Sequence, residues 1–165
     1  GAHLSESVSI CRYLEELHPE PNLFGRDAKE RATIDMWLRR VEFRLMVPLG
    51  QVWVHTHPFT AAVATQAFGQ QFKEFGAANR KVFASACKLF DREIEGRDFI
   101  AGSRYTIADI VAQTTFDFAR FIGVDIPGDC AALSTWYACV GARPSATFDI
   151  PAERLAQARA LGGAV

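Results

Sequence analysis

Nowhere does this chain run for the roughly 18 to 20 uninterrupted apolar residues that a membrane-crossing helix needs, although 49% of its 165 residues are hydrophobic. No transmembrane span or membrane partner is therefore expected. The first residues lack the basic patch, apolar stretch and small-residue cleavage site of a signal peptide, and they lack a starting methionine. A fragment or a processed form is the expectation. An excess of charge of one sign is missing too, since 18 Lys and Arg face 19 Asp and Glu for a net charge of −1. A polyanion is held by counterion release at a basic face, so nucleic acid is not an expected partner. Cysteine is scarce and scattered. Cys11, Cys87, Cys130 and Cys139 form no pair at metal-binding or redox spacing, and at least Cys11, Cys87 and Cys139 fall in apolar helical patterns. They read as reduced core thiols of a cytoplasmic protein. His55 and His57 stand beside Pro58 without a third ligand nearby, so no metal is expected and the pair reads as solvated or capping side chains at a helix end.

Alternating strand patterns and internal repeats are also absent, and what remains is helix after helix. Ile10, Leu14 and Leu17 lie at i, i+4, i+7 and put one apolar stripe on a short helix that stops at His18-Pro19, because proline disfavours helical geometry in the residue before it. Residues 18 to 27, with Pro19, Pro21 and Gly25, read as a linker. Asp27 is a good N-cap for a longer helix with Glu30 placed to complete a capping box, and its buried stripe is Ile34, Trp37 with Leu38, Val41 and Leu45. Pro48 removes a backbone donor and is expected to bend or break this helix before His57-Pro58. Residues 58 to 66 read as a turn region. Phe68, Phe72, Phe75, Val82, Phe83, Ala86, Leu89, Phe90 and Ile94 then keep spacings of three and four across about 27 residues, which predicts one long helix with one buried face. After a loop whose Phe99-Ile100-Ala101 piece is expected to lie across the core, helices are predicted over 106–122, 130–140 and 151–161. The fold class this supports is all-α, a helical bundle preceded by a linker and a detached short helix.

Two motifs invite a chemical reading. In "YTIADI", residues 105 to 110, Thr106 can accept from the backbone amide of Asp109 while the Asp109 carboxylate accepts from the amide of Thr106. The preferred reading of Asp109 is structural, with catalysis the sharper and weaker alternative. In the opening stretch, Ser5, Glu6 and Ser7 sit where a helix begins, with free first-turn amides and the positive end of the helix dipole. The amide and hydroxyl of Ser7 can donate to a carboxylate and Glu6 can accept from an ammonium, which together would recognise an amino-acid head group. An ordinary serine N-cap is the plainer reading, and the residues alone leave both open.

The run "LSESVSICRYLEELHPEPNLFGRDAKERATIDMWLRRVE", with "FIAGSRYTIAD" later, resembles a cytosolic glutathione transferase over residues 1 to about 145. The resemblance implies that residues 1–17 are the last edge of a thioredoxin-like domain, 18–27 the interdomain linker, and 28–165 the all-helical C-terminal domain. It further implies that Glu6 and Ser7 are the acid-serine pair holding the γ-glutamyl end of glutathione. The activating tyrosine, serine or cysteine and the aligning cis-proline of the family are expected upstream of Gly1. The implied chemistry is attack of the glutathione thiolate on a small, mostly apolar electrophile. Phe43 and Met46 are candidates for lining the electrophile cleft by helical position, and a core or dimer role is equally open to each. A homodimer joined near the first two bundle helices is implied as well. Two alternatives stand beside transfer: a noncatalytic interaction module of the same type, and a glutathione-dependent reductase or isomerase on the same fold.

Overall fold

The computed structural model describes residues 3–146, and these fold into helices with an isolated bridge between Phe99 and Gly102 as the one sheet-like pairing among them. In chain order they are α1 (Ser7–Leu17), α2 (Ala28–Val41), a π-turn (Glu42–Met46), α3 (Val47–Thr56), a 3-10 turn (Pro58–Thr60), α4 (Ala61–Phe68), α5 (Lys73–Ile94), α6 (Ile107–Phe121), α7 (Ala131–Gly141) and a 3-10 turn (Pro144–Ala146). The helix expected over 151–161 lies outside the described residues.

The core forms where the apolar stripes of five α-helices and the π-turn meet. Trp37 and Val41 of α2, Leu45 of the π-turn, Leu49 and Val52 of α3, Phe83, Cys87, Phe90 and Ile94 of α5, Phe116 of α6, and Leu133, Trp136 and Val140 of α7 are all buried in one cluster. Edge-on ring pairs, Trp37 with Phe90 at 5.7 Å and Phe83 with Phe116 at 6.0 Å, add to the burial of apolar area. Ile100 is fully buried in the same cluster, as expected of a loop that crosses the core.

Pro48 neither breaks nor stops the helical path. The chain widens into the π-turn just upstream, and Pro48 falls in the first turn of α3, where a missing amide is tolerated.

The long helix predicted from Phe68 onward is a different matter. It is interrupted between Gly69 and Phe72, the expected turn region at 58–66 contains α4, and Phe68, Phe72, Phe75 and Val82 are exposed rather than on the buried face. The cause is a long-range capping device. Thr60 Oγ1 donates to the carbonyls of Trp53, Val54 and His57, and Gln71 Nε2 donates to those of Val54 and His57 at 3.0 and 2.8 Å. These bonds satisfy the C-terminal carbonyls of α3 and fix the turn on which α4 and α5 part. His55 is only 3% exposed, contrary to the solvated reading. Its Nδ1 accepts from the amide of Phe72 at 3.3 Å, and the rings of Phe68, Phe72 and Phe75 surround it, which is why those three phenylalanines sit at helical spacing without facing the main core. His57 does cap, its Nδ1 accepting from the amide of Phe59. Cys87 and Cys130 are buried, Cys11 is half-buried and Cys139 is exposed, so Cys139 departs from the expected core position; all four are free thiols.

α3 and α5 approach closely at Gly76. A Cβ there would lie 2.4 Å from Thr56 Cγ2 and 3.3 Å from His55 Cβ, while Thr56 is held in place by its own bond to the Val52 carbonyl at 2.7 Å. Gly76→Ala should therefore lower stability by about 1 to 2 kcal/mol despite the better helix propensity of alanine. Urea denaturation of Gly76→Ala, Thr56→Ser and the double variant tests this, because shortening Thr56 removes the clash and should recover most of the loss.

The capping box at the start of α6 is present as predicted: Asp109 Oδ2 accepts from the Thr106 amide at 2.9 Å, and the Thr106 side chain meets the amide of Asp109. Asp109 does more than cap. Its Oδ1 accepts from the amide of Ile100 at 2.8 Å and from Trp136 Nε1 at 3.0 Å, and the residue is fully buried. Burial pushes the carboxyl above its ordinary range, while the Ile100, Trp136 and Thr106 donors pull the other way. Removing the acceptor strands four buried donors, the amides of Ile100 and Thr106, the Thr106 hydroxyl and the Trp136 indole, each costing about 1 to 3 kcal/mol. Asp109→Ala is expected to lose more than about 3 kcal/mol in chemical denaturation, against about 1 kcal/mol for Thr106→Ala; equal losses would reduce Asp109 to a simple cap.

Candidate functional site

α1 begins at Ser7 without a side-chain cap, so its first-turn amides have no partner supplied by the helix. Ser5, Glu6 and Ser7 are exposed, and Ser7 is not turned under other side chains. Glu6, the residue just before the helix, has φ 68° and ψ 117°, and it is the non-glycine residue with positive φ among those described. A left-handed φ costs a side-chain-bearing residue about 1 to 2 kcal/mol. The strain sits on the acid of the acid-serine pair and turns the chain sharply at the mouth of the helix. Strain of this kind concentrates at ligand clamps.

α1 has no buried residue, and its stripe of Ile10, Leu14 and Leu17 is exposed along with Leu4 and Tyr13. The opposite side docks. Val8 and Cys11 pack against a second cluster made by Phe24, Ile34, Leu38 and Ile107, and the Arg12 guanidinium lies 4.5 Å over the Phe24 ring. Glu15 fastens the helix to the linker: its carboxylate accepts from the amide of Leu23 at 2.5 Å, from that of Phe24 at 3.1 Å and from Asn22 Nδ2 at 2.9 Å. Sequence reasoning missed Glu15. Its signal was position, because a carboxylate in the last turn of a helix opposes the dipole and needs donors from elsewhere.

The linker is tied to the bundle in turn. Arg104 Nε donates to Glu30 at 2.5 Å, Nη2 donates to Asn22 Oδ1 at 2.8 Å, and Nη1 donates to the Asn22 carbonyl. Asp27 caps α2 by accepting from Glu30, as expected, but the return arm of Glu30 reaches the amide of Arg26 at 2.7 Å rather than that of the cap residue. Gly25 is required where the linker turns into α2, with φ 113° and with the Arg31 backbone 2.6 Å from where a Cβ would stand. The hydrogen bond from Arg104 and then the Arg26 amide pull the Glu30 carboxyl from 4.5 down to about 2. A depressed carboxylate contributes stability that is fully present above the unfolded value and is lost as pH falls through the folded one. The stability difference between wild type and Glu30→Gln should therefore be largest above pH 4.5 and close as pH falls toward 2, as read by thermal melts across that window.

A cleft of about 260 Å³ opens further along the groove between α2–α3 and α6, lined by Met46, Leu49 and Gly50 on one side and Thr114, Thr115 and Phe118 on the other. α2 and α6 run in the same direction, since Ile34 and Leu38 meet Ile107 while Met46 and Leu49 meet Thr114 and Phe118. The cleft thus lies about 10 Å beyond the place where α1 docks, at seven or so residues of helix rise. Thr114 and Thr115 donate their hydroxyls back to the carbonyls of Ile110 and Val111, which leaves their methyl groups to the cleft. The space is apolar. Met46 lines it; Phe43, 65% exposed, is not among its lining residues. Thr106 and Asp109 lie in the cap network described above and face neither the cleft nor α1's mouth. Among the described residues no group of three His, Cys, Asp or Glu side chains converges on a point, and no helix is long and apolar enough to cross a membrane.

A family model described as glutathione S-transferase, C-terminal domain, matches residues 70–139. Glutathione S-transferase 2 of Saccharomyces cerevisiae is 29% identical over 145 residues, which are 88% of this chain and 61% of that protein. Among solved structures, Gtt2 from Saccharomyces cerevisiae superposes with a TM-score of 0.79 at 28% identity over 88% of this chain and 69% of its own. A glutathione S-transferase domain-containing protein from Marinobacter aquaeolei VT8 does so with a TM-score of 0.77 at 34% identity over 87% of this chain and 69% of its own. The chain belongs to the glutathione S-transferase family, with the all-helical fold of that family's C-terminal domain. It spans less than two thirds of the length of the curated yeast relative.

Proposed function

We propose that this chain is the larger, helical part of a glutathione transferase, with α1 as the closing helix of a thioredoxin-like half. In this reading the α-carboxylate of glutathione's γ-glutamyl residue accepts from the first-turn amides of α1 and the Ser7 hydroxyl, and the Glu6 carboxylate takes the ammonium. The reading is carried by one observation: open amides at Ser7 stand directly after a glutamate held at φ 68°. Residues 18–27 then form the linker between the two halves, held to α1 by Glu15 and to the loop before α6 by Arg104. The exposed stripe Ile10, Leu14 and Leu17 supports the same division, because a helix at a domain junction needs apolar surface on two sides.

The reaction is attack of the glutathione sulfur, as thiolate, on an electrophilic carbon, forming a C–S bond as a leaving group departs or a double bond takes up a proton. A nearby donor that lowers the thiol pKa comes from the thioredoxin-like half. The apolar cleft at Met46, Gly50 and Phe118 holds the electrophile, and its methyl-lined walls favour small apolar substrates over polar ones. The exposed Met36, Phe43 and Val47 support association of two copies along α2–α3.

The test is retention of the whole protein on immobilised glutathione together with conjugation of an aryl halide. Glu6→Ala with Ser7→Ala should weaken retention at least tenfold, the loss of about two charge-assisted hydrogen bonds, with unchanged circular dichroism. Undiminished retention removes the site. Retention without conjugation by the unaltered protein leaves a binding module in place of a transferase.

A further inference from the structure

We propose that Asn22 is a positioning residue that keeps α1 in register with the Met46–Phe118 cleft, and so aligns glutathione with its electrophile; the inference rests on the reading of α1 and the cleft given above. The side-chain amide of Asn22 joins the two parts. Its Nδ2 donates to the Glu15 carboxylate of α1 at 2.9 Å, while its Oδ1 accepts from Arg104 Nη2 at 2.8 Å and from the Gly25 amide at 3.0 Å. The Asn22 carbonyl accepts from Arg104 Nη1 as well. These partners fix which way the amide points, because a flipped side chain would set its NH2 against a guanidinium and its oxygen against a carboxylate.

The other attachments of α1 do not fix its direction. None of its residues is buried. Val8 and Cys11 rest on the cluster of Phe24, Ile34, Leu38 and Ile107 through apolar contacts, which are not directional. Arg12 reaches Asp35 at 3.8 Å with both side chains about half exposed, where solvent weakens an ion pair. The bonds at Asn22 are directional, and on both arms the partner is charged. Arg104 is anchored in turn on Glu30 of α2, and Glu15 also accepts from the amides of Leu23 and Phe24. A continuous path of hydrogen bonds therefore runs from the tail of α1 through Asn22 into the bundle.

Asn22 itself meets neither reactant. The helix rises about 12 Å from Ser7 to Glu15, and Asn22 is not among the residues lining the cleft at Met46 and Phe118. In the proposed reaction glutathione is held by α1 and the electrophile by the bundle, so a tilt of α1 moves one reactant against the other. Misplacing reacting atoms by about 1 Å costs on the order of 100-fold in rate. The contacts of Glu6 and Ser7 with the γ-glutamyl end travel with α1 and survive the tilt. Asn22 accordingly governs turnover rather than glutathione binding.

A polarity exchange tests this. Asn22→Asp keeps the bond to Arg104 but sets two carboxylates against each other at Glu15, whereas Glu15→Gln sets two amide donors together. Combined, the two changes restore the bond with donor and acceptor exchanged. In the whole protein, Asn22→Asp should lower the turnover of an aryl halide about tenfold or more, with retention on glutathione within about twofold, and the pair should recover most of the loss. Cys11 gives a readout that needs no glutathione, since its half-buried thiol lies where α1 meets the Phe24 cluster. Its alkylation, followed by peptide mass, should quicken about fivefold or more in Asn22→Asp and slow again in the pair, with unchanged circular dichroism. If Asn22→Asp does not fold, Glu15→Gln and the pair make the same comparison. The proposal is overturned if Cys11 labelling does not quicken, if turnover holds once it has, if retention falls in step with turnover, or if the pair recovers neither. Absence of retention by the unaltered protein would end the Glu6–Ser7 reading instead, and Cys11 labelling then decides alone whether Asn22 couples α1 to the bundle.

Discussion

The buried carboxylate of Asp109 is the point on which the arrangement depends. Four donors reach it: the amides of Ile100 and Thr106, the Thr106 hydroxyl and the Trp136 indole. They come from the crossing loop, from the start of α6 and from α7, three pieces of chain that share no other polar link of this kind among the described residues. A buried anion costs several kcal/mol unless it is fully hydrogen-bonded, and here both oxygens are doubly engaged. The alternative placements of loop and α7 would each leave a donor and the charge unmatched, so the network selects one arrangement. Trp136 carries that choice into the core, where its ring meets Phe116 edge-on at 6.1 Å.

The start of α6 also sets the position of α1, though at one remove. The amide of Ile107 donates to the Leu23 carbonyl at 3.2 Å, and the Ile107 side chain shares a cluster with Phe24, Ile34 and Leu38 on which α1 rests. Beyond that cluster α1 has little apolar attachment, since none of its residues is buried. Polar bonds from Glu15 to the linker and from Arg104 to Glu30 and Asn22 hold what packing does not. Segments with few buried contacts open at low free-energy cost. The mouth of α1 is thus the part of the described structure whose geometry relies most on electrostatics, and the strain at Glu6 is borne there.

The sequence made α2 and α6 legible because in each the apolar spacing and the cap chemistry agree: Asp27 precedes Ile34, Trp37 and Leu38, and Thr106-Asp109 precedes a run of small and aromatic core residues. Where local signals agreed with one another but not with the tertiary contacts, the reading failed. Phe68, Phe72 and Phe75 keep a helical period straight across a break that is fixed by Thr60 and Gln71 capping a helix more than a turn away in sequence. Those rings serve His55, whose burial follows from α5 lying against α3 and is invisible to any pattern within one helix. Cys139 likewise sits in an apolar segment but on the turn of α7 that faces outward. At the candidate site, the acid-serine order and Met46 were readable as residue types and positions, whereas the positive φ of Glu6 and the side-on lattice around Arg104 exist only once the linker has folded back on α1.

The apolar cleft at Met46 and Phe118 has its own physical origin in the register of one helix. The core positions Trp37, Val41, Leu45 and Leu49 advance in steps of four residues, more than the 3.6 of an α-helical turn, so in a regular helix each step would swing about 40° off the core. The π-turn at Glu42–Met46 absorbs the excess in one place and returns Leu49 and Val52 to the buried side. The same widened turn decides which way Met46 and Gly50 face. They open toward Thr114 and Phe118 of α6 only because Leu45 and Leu49 remain beneath them in the core. Deleting one residue from the turn would rotate everything downstream by about 100° and exchange core for cleft. Packing of the bundle and the shape of its apolar cleft are therefore two consequences of one extra residue in one turn, which also lets Pro48 occupy the first turn of α3 where its missing amide does no harm.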